Sequence, residues 1–278
     1  MSLTWAAILG AVQGLTEFLP VSSSGHLVIL QGLAGLKMPG VTFEIAVHLG
    51  TLLAVLIALW RDVRSLLVGL WRPSPGRRRG GRQGSERQLL AALLVALVPT
   101  GVIGLAGKDF FVRLFDSPRA AALALLLTGL ILVATPALSR GHTGLFRVKG
   151  RQALAVGSAQ GLAIVPGLSR SGLTIAAGLA CGLEPDAAAR FSFLLSIPAI
   201  LGAAGVDALD ALKGGPSLAP TNLLPGPLLV GALTATLVGA VSVRWMLDLV
   251  RRGRLRPFAY YCWAVGLLTL VFTYLGQV

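Results

Sequence analysis

The stretch Gln13–Leu27, QGLTEFLPVSSSGHL, returns 147 residues later as Gln160–Thr174, QGLAIVPGLSRSGLT. Gln13, Gly14 and Leu15 fall on Gln160, Gly161 and Leu162, and Ser22, Ser24 and Gly25 fall on Ser169, Ser171 and Gly172. Each copy sets Gly, Pro and Ser in the middle of strongly apolar sequence, where an unbroken membrane helix would exclude them. Each also carries ionisable groups there: Glu17 and His26 in the first, Arg170 in the second. Two interrupted apolar segments at matching places in two halves point to a binding site near the middle of a membrane.

The surrounding sequence is membrane-like. The 278 residues are 55% hydrophobic and 13% charged, with a mean hydropathy of +0.79, whereas a soluble domain carries about a quarter charged residues. No polar stretch is long enough for a separate soluble domain, and no basic n-region with a small-residue cleavage pattern marks a removable signal peptide. Cys181 and Cys262 sit singly in apolar segments and read as small buried residues rather than a disulfide or metal site. A net charge of +13 would suit nucleic acid, but the cations gather in three connecting stretches, 61–87, 139–151 and 248–257. Basic loops between spans mark the cytoplasmic side and favour anionic headgroups, so membrane lipids and not nucleic acid are the expected partners.

A transmembrane helix needs roughly 20 apolar residues. Six stretches qualify: 41–60, 88–107, 118–138, 188–206, 225–247 and 258–276. The echoed motifs interrupt two more, 3–34 and 152–182, each long enough for two half-helices joined by a loop. Irregular backbone at membrane depth is tolerated only where protein or water satisfies it. Read as full spans, these segments would scatter the basic loops over both faces. Read as re-entrant hairpins, they put all three basic stretches on the cytoplasmic face and both termini outside. The expected fold is thus all-α and integral to the membrane, with six transmembrane helices plus two hairpins in one membrane domain. Residues 1–138 and 139–278 each hold one hairpin and three crossings. An odd number of crossings inverts the second repeat, so that the hairpin tips can meet near the midplane. Phe43 and Phe191 form a weaker echo at nearly the same offset.

Glu17, His26 and Arg170 are costly in apolar surroundings unless paired or solvated, which makes them functional candidates. Glu17 with Arg170 could also be a structural ion pair clipping the hairpins together. SSSG and SRSG, beside helix starts, offer hydroxyls and backbone N–H groups suited to phosphate or carboxylate. An Arg fork matches phosphate oxygens. Ser23 with His26 adds a potential nucleophile or acid–base group. Glu17 could orient the His, accept a proton or hold a cation. Glu44 reads as either a pocket-rim or a membrane-boundary acid, His48 as a packed or snorkelling residue, and His142 as a solvated one.

The first motif resembles the (E/Q)xxxE and PVSSxGH motifs of the undecaprenyl-diphosphate phosphatases, the BacA-type bacitracin-resistance family; PGLSRSGLT resembles that family's PGxSRSxxT motif. The resemblance covers essentially the whole chain. It implies a bacterial inner-membrane enzyme, open to the external side, that removes the terminal phosphate of undecaprenyl diphosphate and recycles the lipid for cell-wall synthesis. It also implies a divalent cation (Mg2+ or Ca2+) and a homodimer. Carried onto this sequence, it makes Glu17, Ser23, His26 and Arg170 the catalytic set. Gln13, Ser22, Ser24, Gly25, Ser169, Ser171 and Thr174 become the substrate-binding set, and Glu17 the metal ligand. Gln13 stands where some members have Glu, leaving one carboxylate in the motif. Ser23 is the favoured nucleophile with His26 assisting; His26 or water as nucleophile stays open. A lipid-phosphate flippase or transporter is the alternative, since inverted repeats also suit alternating access. A non-catalytic anion-binding scaffold is a third reading.

Overall fold

The computed structural model describes residues 1–34, 41–71, 83–115, 117–138, 141–212 and 225–275. Twelve α-helices follow one another in these residues: α1 (Leu3–Thr16), α2 (Ser23–Ala34), α3 (Val41–Ala58), α4 (Trp60–Trp71), α5 (Gln83–Ala106), α6 (Lys108–Phe115), α7 (Pro118–Ala134), α8 (Gly150–Leu162), α9 (Arg170–Ala180), α10 (Pro185–Leu212), α11 (Pro225–Arg251) and α12 (Arg256–Tyr274). Among the described residues β-structure is limited to an isolated bridge between Thr143 and Leu183. Expectations for residues 72–82, Asp116, Arg140 and the loop beyond Leu212 lie outside the described residues.

Five helical segments in the described residues are long and apolar enough to cross a membrane: Glu86–Ala106, Pro118–Leu138, Pro185–Val206, Pro225–Arg251 and Arg256–Tyr274. They coincide with five of the six expected spans. The sixth, 41–60, is half of a broken pair: Thr42–Ala58 turns by 81° into Trp60–Gly69. The stretch from residue 61 onward reads in sequence as part of a basic connection between spans. Its beginning is instead the amphipathic helix α4, tied down where Arg190 of α10 donates through Nε and Nη2 to the buried carboxylate of Asp62. The mixed-charge stretch 108–117 likewise contains α6, whose Phe111 is buried. The outward faces are apolar: Leu94, Val98, Val102 and Leu105 on α5, and Leu229, Leu233, Leu237 and Val241 on α11, are exposed at close to one-turn spacing. Contiguous apolar surface of this extent needs a cover. With the helix lengths, it makes the chain a multi-pass membrane protein.

The echoed motifs form two broken helix pairs, α1 with α2 and α8 with α9. Pro20 ends the first helix by removing an N–H and clashing with the preceding turn. In the second pair, Pro166 and Gly167 occupy the centre of a turn closed by Leu168 N–H to Val165 C=O, 3.0 Å. Gly167 has φ +92°, which the second central position of a type II turn requires. The two pairs pack crosswise: α1 lies on α11, and α8 lies on α5. Glycine makes both approaches possible. A Cβ on Gly14 would stand 2.6 Å from the carbonyl oxygen of Ala235, and one on Gly157 would strike the carbonyl of Ala96. Small residues at four-residue spacing let membrane helices come this close. The core behind the breaks includes Phe18, set edge-on to Phe193 of α10 with centroids 5.6 Å apart.

Candidate functional site

The two breaks touch. A Cβ on Gly25 would lie 3.2 Å from Cα of Gly167, and Ser171 Oγ donates across the gap to the carbonyl of Leu19 at 3.2 Å. Each break ends in the same serine cap. Ser22 Oγ accepts from Gly25 N–H at 3.3 Å and contacts Ser24 Oγ at 3.3 Å. Ser169 Oγ accepts from Gly172 N–H at 3.1 Å and contacts Ser171 Oγ at 3.2 Å. The residue after each cap opens the helix: Ser23 for α2, Arg170 for α9.

These equivalent residues meet on one carboxylate. Ser23 Oγ donates to Glu17 Oε2 at 2.6 Å, and Arg170 Nη2 donates to Glu17 Oε1 at 2.7 Å. Gln13, one turn earlier on α1, donates through Nε2 to Oε2 at 2.9 Å. Glu17 and Gln13 are 9% and 0% exposed. The site is a buried carboxylate encircled by donors, with a serine hydroxyl and a guanidinium on its two oxygens and two helix N-termini behind them. The ion pair that clips the two breaks together and the candidate site therefore share Glu17 and Arg170.

The same segments carry the comparisons. Residues 6–268 match the family described as bacitracin resistance protein BacA. The chain belongs to this family. It is 41% identical over 271 residues to the undecaprenyl-diphosphatase of Halothermothrix orenii, covering 98% of each chain. It is 44% identical over 272 residues to that of Carboxydothermus hydrogenoformans, again 98% of each. To that of Methanosphaera stadtmanae it is 36% identical over 273 residues, 96% of each.

In this BacA-family chain the serine and histidine of the first motif face different partners. Ser23 donates its hydrogen bond to Glu17. His26 Nδ1 is 2.7 Å from the carbonyl of Ser22, and Nε2 is 2.7 Å from the hydroxyl of Tyr261. Ser22 itself has φ +67°, a left-handed conformation that costs a non-glycine residue about 1–3 kcal/mol. That backbone turn starts α2 at Ser23 and brings the hydroxyl onto Glu17. Thr174, a substrate-binding candidate, is fully buried one turn into α9. Its hydroxyl donates to the carbonyl of Arg170 at 2.7 Å and contacts Ser192 Oγ at 2.6 Å, so it braces the helix start.

Three contributors escaped the sequence reading. His48 of α3 points at Glu17 rather than packing or snorkelling: Nε2 is 3.9 Å from Oε2, and Nδ1 donates to the carbonyl of Glu44 at 2.7 Å. Thr128 of α7 donates to Gly167 C=O and accepts from Ser169 N–H, both at 3.1 Å, fixing the second break. Tyr261 of α12 is the third. His142 is exposed, as expected.

A divalent cation has a limited set of ligands here. No group of three or more His, Cys, Asp or Glu side chains among the described residues is placed to hold a metal. Glu17 offers its carboxylate, and Gln13 offers Oε1, which is buried with no hydrogen-bond partner. One carboxylate with one carbonyl suits a hard cation that takes its other ligands from substrate phosphates and water.

Proposed function

We propose that this chain hydrolyses undecaprenyl diphosphate to undecaprenyl phosphate and inorganic phosphate, recycling the lipid carrier for cell-wall synthesis and conferring bacitracin resistance. The observation that carries the reading is the convergence of Ser23 and Arg170 on the two oxygens of Glu17. It supports a reading in which Ser23 is the nucleophile, Glu17 its base and Arg170 the phosphate-binding cation of one buried site. The relatives' name, undecaprenyl-diphosphatase, supplies the substrate. A flippase or transporter is not favoured, because transport needs no serine hydroxyl held against a carboxylate.

In this reading the prenyl tail lies against the apolar outer helices and the diphosphate enters between the breaks. Phosphoryl transfer depends mainly on positioning and charge stabilisation. Arg170 swings its free N–H groups to the phosphate oxygens, supported by the backbone N–H groups of the first turns of α2 and α9. Ser23 Oγ attacks the terminal phosphorus and passes its proton to Glu17. The bond to the bridging oxygen breaks, and its electron pair leaves with undecaprenyl phosphate. Water then attacks the phosphoserine. The proton on Glu17 returns to Ser23 Oγ, and both protons of the water leave with inorganic phosphate as dihydrogen phosphate. His26 assists from the same turn of α2. A divalent cation, Mg2+ or Ca2+, held by Glu17 and Gln13, would offset the diphosphate charge. Ser22, Ser24, Gly25, Ser169 and Ser171 shape the cradle.

Phosphate release by the purified protein from a prenyl diphosphate, with and without chelator, tests this reading. Release is expected, reduced by chelator; no release under either condition would reject the phosphatase.

The two broken pairs are read as re-entrant hairpins of an inverted repeat, residues 1–138 and 139–278, in the bacterial inner membrane with the site open outward. The crosswise packing supports it: α1 uses Gly10 and Gly14 on α11, and α8 uses Gly157 and Gly161, at the same offset, on α5. α5 and α11 are the corresponding spans of the two halves. Single cysteines introduced into a chain lacking Cys181 and Cys262 should be labelled from outside intact cells near either terminus and within 207–222, but not at Arg79. Outside labelling at Arg79 would overturn the arrangement. A homodimer is the proposed assembly, and detergent-corrected light scattering would reveal a monomer instead.

A further inference from the structure

The imidazole of His26 is held by two hydrogen bonds that the transfer step leaves unexplained. A carbonyl oxygen only accepts, so Nδ1, at 2.7 Å from the Ser22 carbonyl, carries the hydrogen. In the neutral ring Nε2 then has the lone pair, and the Tyr261 hydroxyl at 2.7 Å is its donor. The two rings lie 3° from parallel with centroids 5.5 Å apart. Tyr261 is 44% exposed and His26 9%, so the phenol closes the outward side of a buried imidazole.

The position of the phenol is set independently of His26. The thiol of the next residue, Cys262, faces the carbonyl of Pro20 at 3.6 Å. Trp263 Nε1 donates to the carbonyl of Leu126 on α7 at 3.0 Å. Both contacts seat this turn of α12 against the first break and α7. Ser23 and His26 are three residues apart on α2, hence neighbours on its surface, yet their polar atoms are committed to different partners: Ser23 to Glu17, His26 to Tyr261.

We propose that Tyr261 is the positioning residue for His26, holding the imidazole as the Nδ1–H tautomer and engaging Nε2 so that the Ser23 hydroxyl stays on Glu17. The phenol thereby keeps two neighbouring groups of one helix turn on different partners. Its activity arm rests on the phosphatase reading; its spectroscopic arm does not.

The test uses the full chain in lipid nanodiscs, labelled with 15N-histidine. The His26 signals are identified by their loss in His26→Gln. In the wild type, His26 should show a protonated Nδ1 and an unprotonated Nε2 shifted by an accepted hydrogen bond. Tyr261→Phe, which keeps the ring and removes the hydroxyl, should move the Nε2 signal to higher shift, further from the protonated position. It should also lower kcat about tenfold or more while KM stays within about twofold. A wild-type His26 protonated on Nε2 would overturn the proposal, as would a Tyr261→Phe spectrum identical to wild type. Wild-type protein that shows the expected tautomer but releases no phosphate would reject the phosphatase reading and leave the Tyr261 assignment standing.

Discussion

Replacing Arg170 by alanine should reduce phosphate release at least a hundredfold to a thousandfold. The guanidinium is 17% exposed and bonded to Glu17 at 2.7 Å, so its partner in the resting protein is the residue that also holds Ser23. When diphosphate arrives, the same fork is the cation nearest the developing phosphoryl charge. Removing a preorganised donor from such a site typically costs about 3–4 kcal/mol of transition-state stabilisation. The substitution also leaves a buried carboxylate without its cation, which destabilises folded proteins by about 3–5 kcal/mol. Arg170→Lys separates these effects. It keeps the charge and should keep the folded yield, yet it loses the planar two-pronged geometry that matches phosphate oxygens, and activity should stay well below wild type. Initial rates on detergent-purified protein, normalised to the monodisperse fraction, provide the comparison. Arg170→Ala activity within threefold of wild type would remove Arg170 from the mechanism.

Ser23→Ala should abolish the chemical step and leave substrate affinity nearly intact. Its hydroxyl is half-buried and hydrogen-bonded to Glu17 at 2.6 Å, which makes Glu17 the base that the resting geometry provides. Glu17→Gln should therefore reproduce much of the loss, about 10²–10⁴-fold for a missing base. Combining the two should cost little more than the larger alone, as residues acting as one unit do. Single-turnover release measured beside equilibrium binding distinguishes loss of chemistry from loss of substrate. If Ser23→Ala turns over at the wild-type rate, the nucleophile is water or His26, and the serine is reduced to orienting Glu17.

The sequence showed the breaks because Pro20, Ser22, Pro166 and Gly167 cannot be mistaken for ordinary membrane helix, and because Glu17 and Arg170 are rare in apolar surroundings. It showed five spans through hydropathy alone. It did not show that α3 turns into α4, because counting charges says nothing about which face of a helix bears them. Only the fold reveals that Asp62 is turned inward to Arg190. The partners of the motif were hidden for a related reason. Tyr261, Thr128 and His48 are residue types at home in many helices, and they acquire a role only from contacts to segments far away in the chain. Tyr261 is 235 residues from His26. In sequence Ser23 stands near His26, whereas the fold gives the serine a carboxylate from the C-terminal end of α1.

The crosswise seating of α1 on α11 has a consequence for how this protein is made. Gly14 reaches its seat only when Ala235 and Gly239 exist, more than two hundred residues later in synthesis. At a ribosomal rate of about 5–20 residues per second, that is a delay of roughly ten to forty seconds. Through that interval the nascent first half carries Glu17 in the membrane without its seat on α11. Arg170, the counter-charge, emerges partway through the wait, still before α11 is complete. The candidate site should therefore be among the last regions to assemble, and chains stalled before α11 should be preferred substrates for membrane proteases.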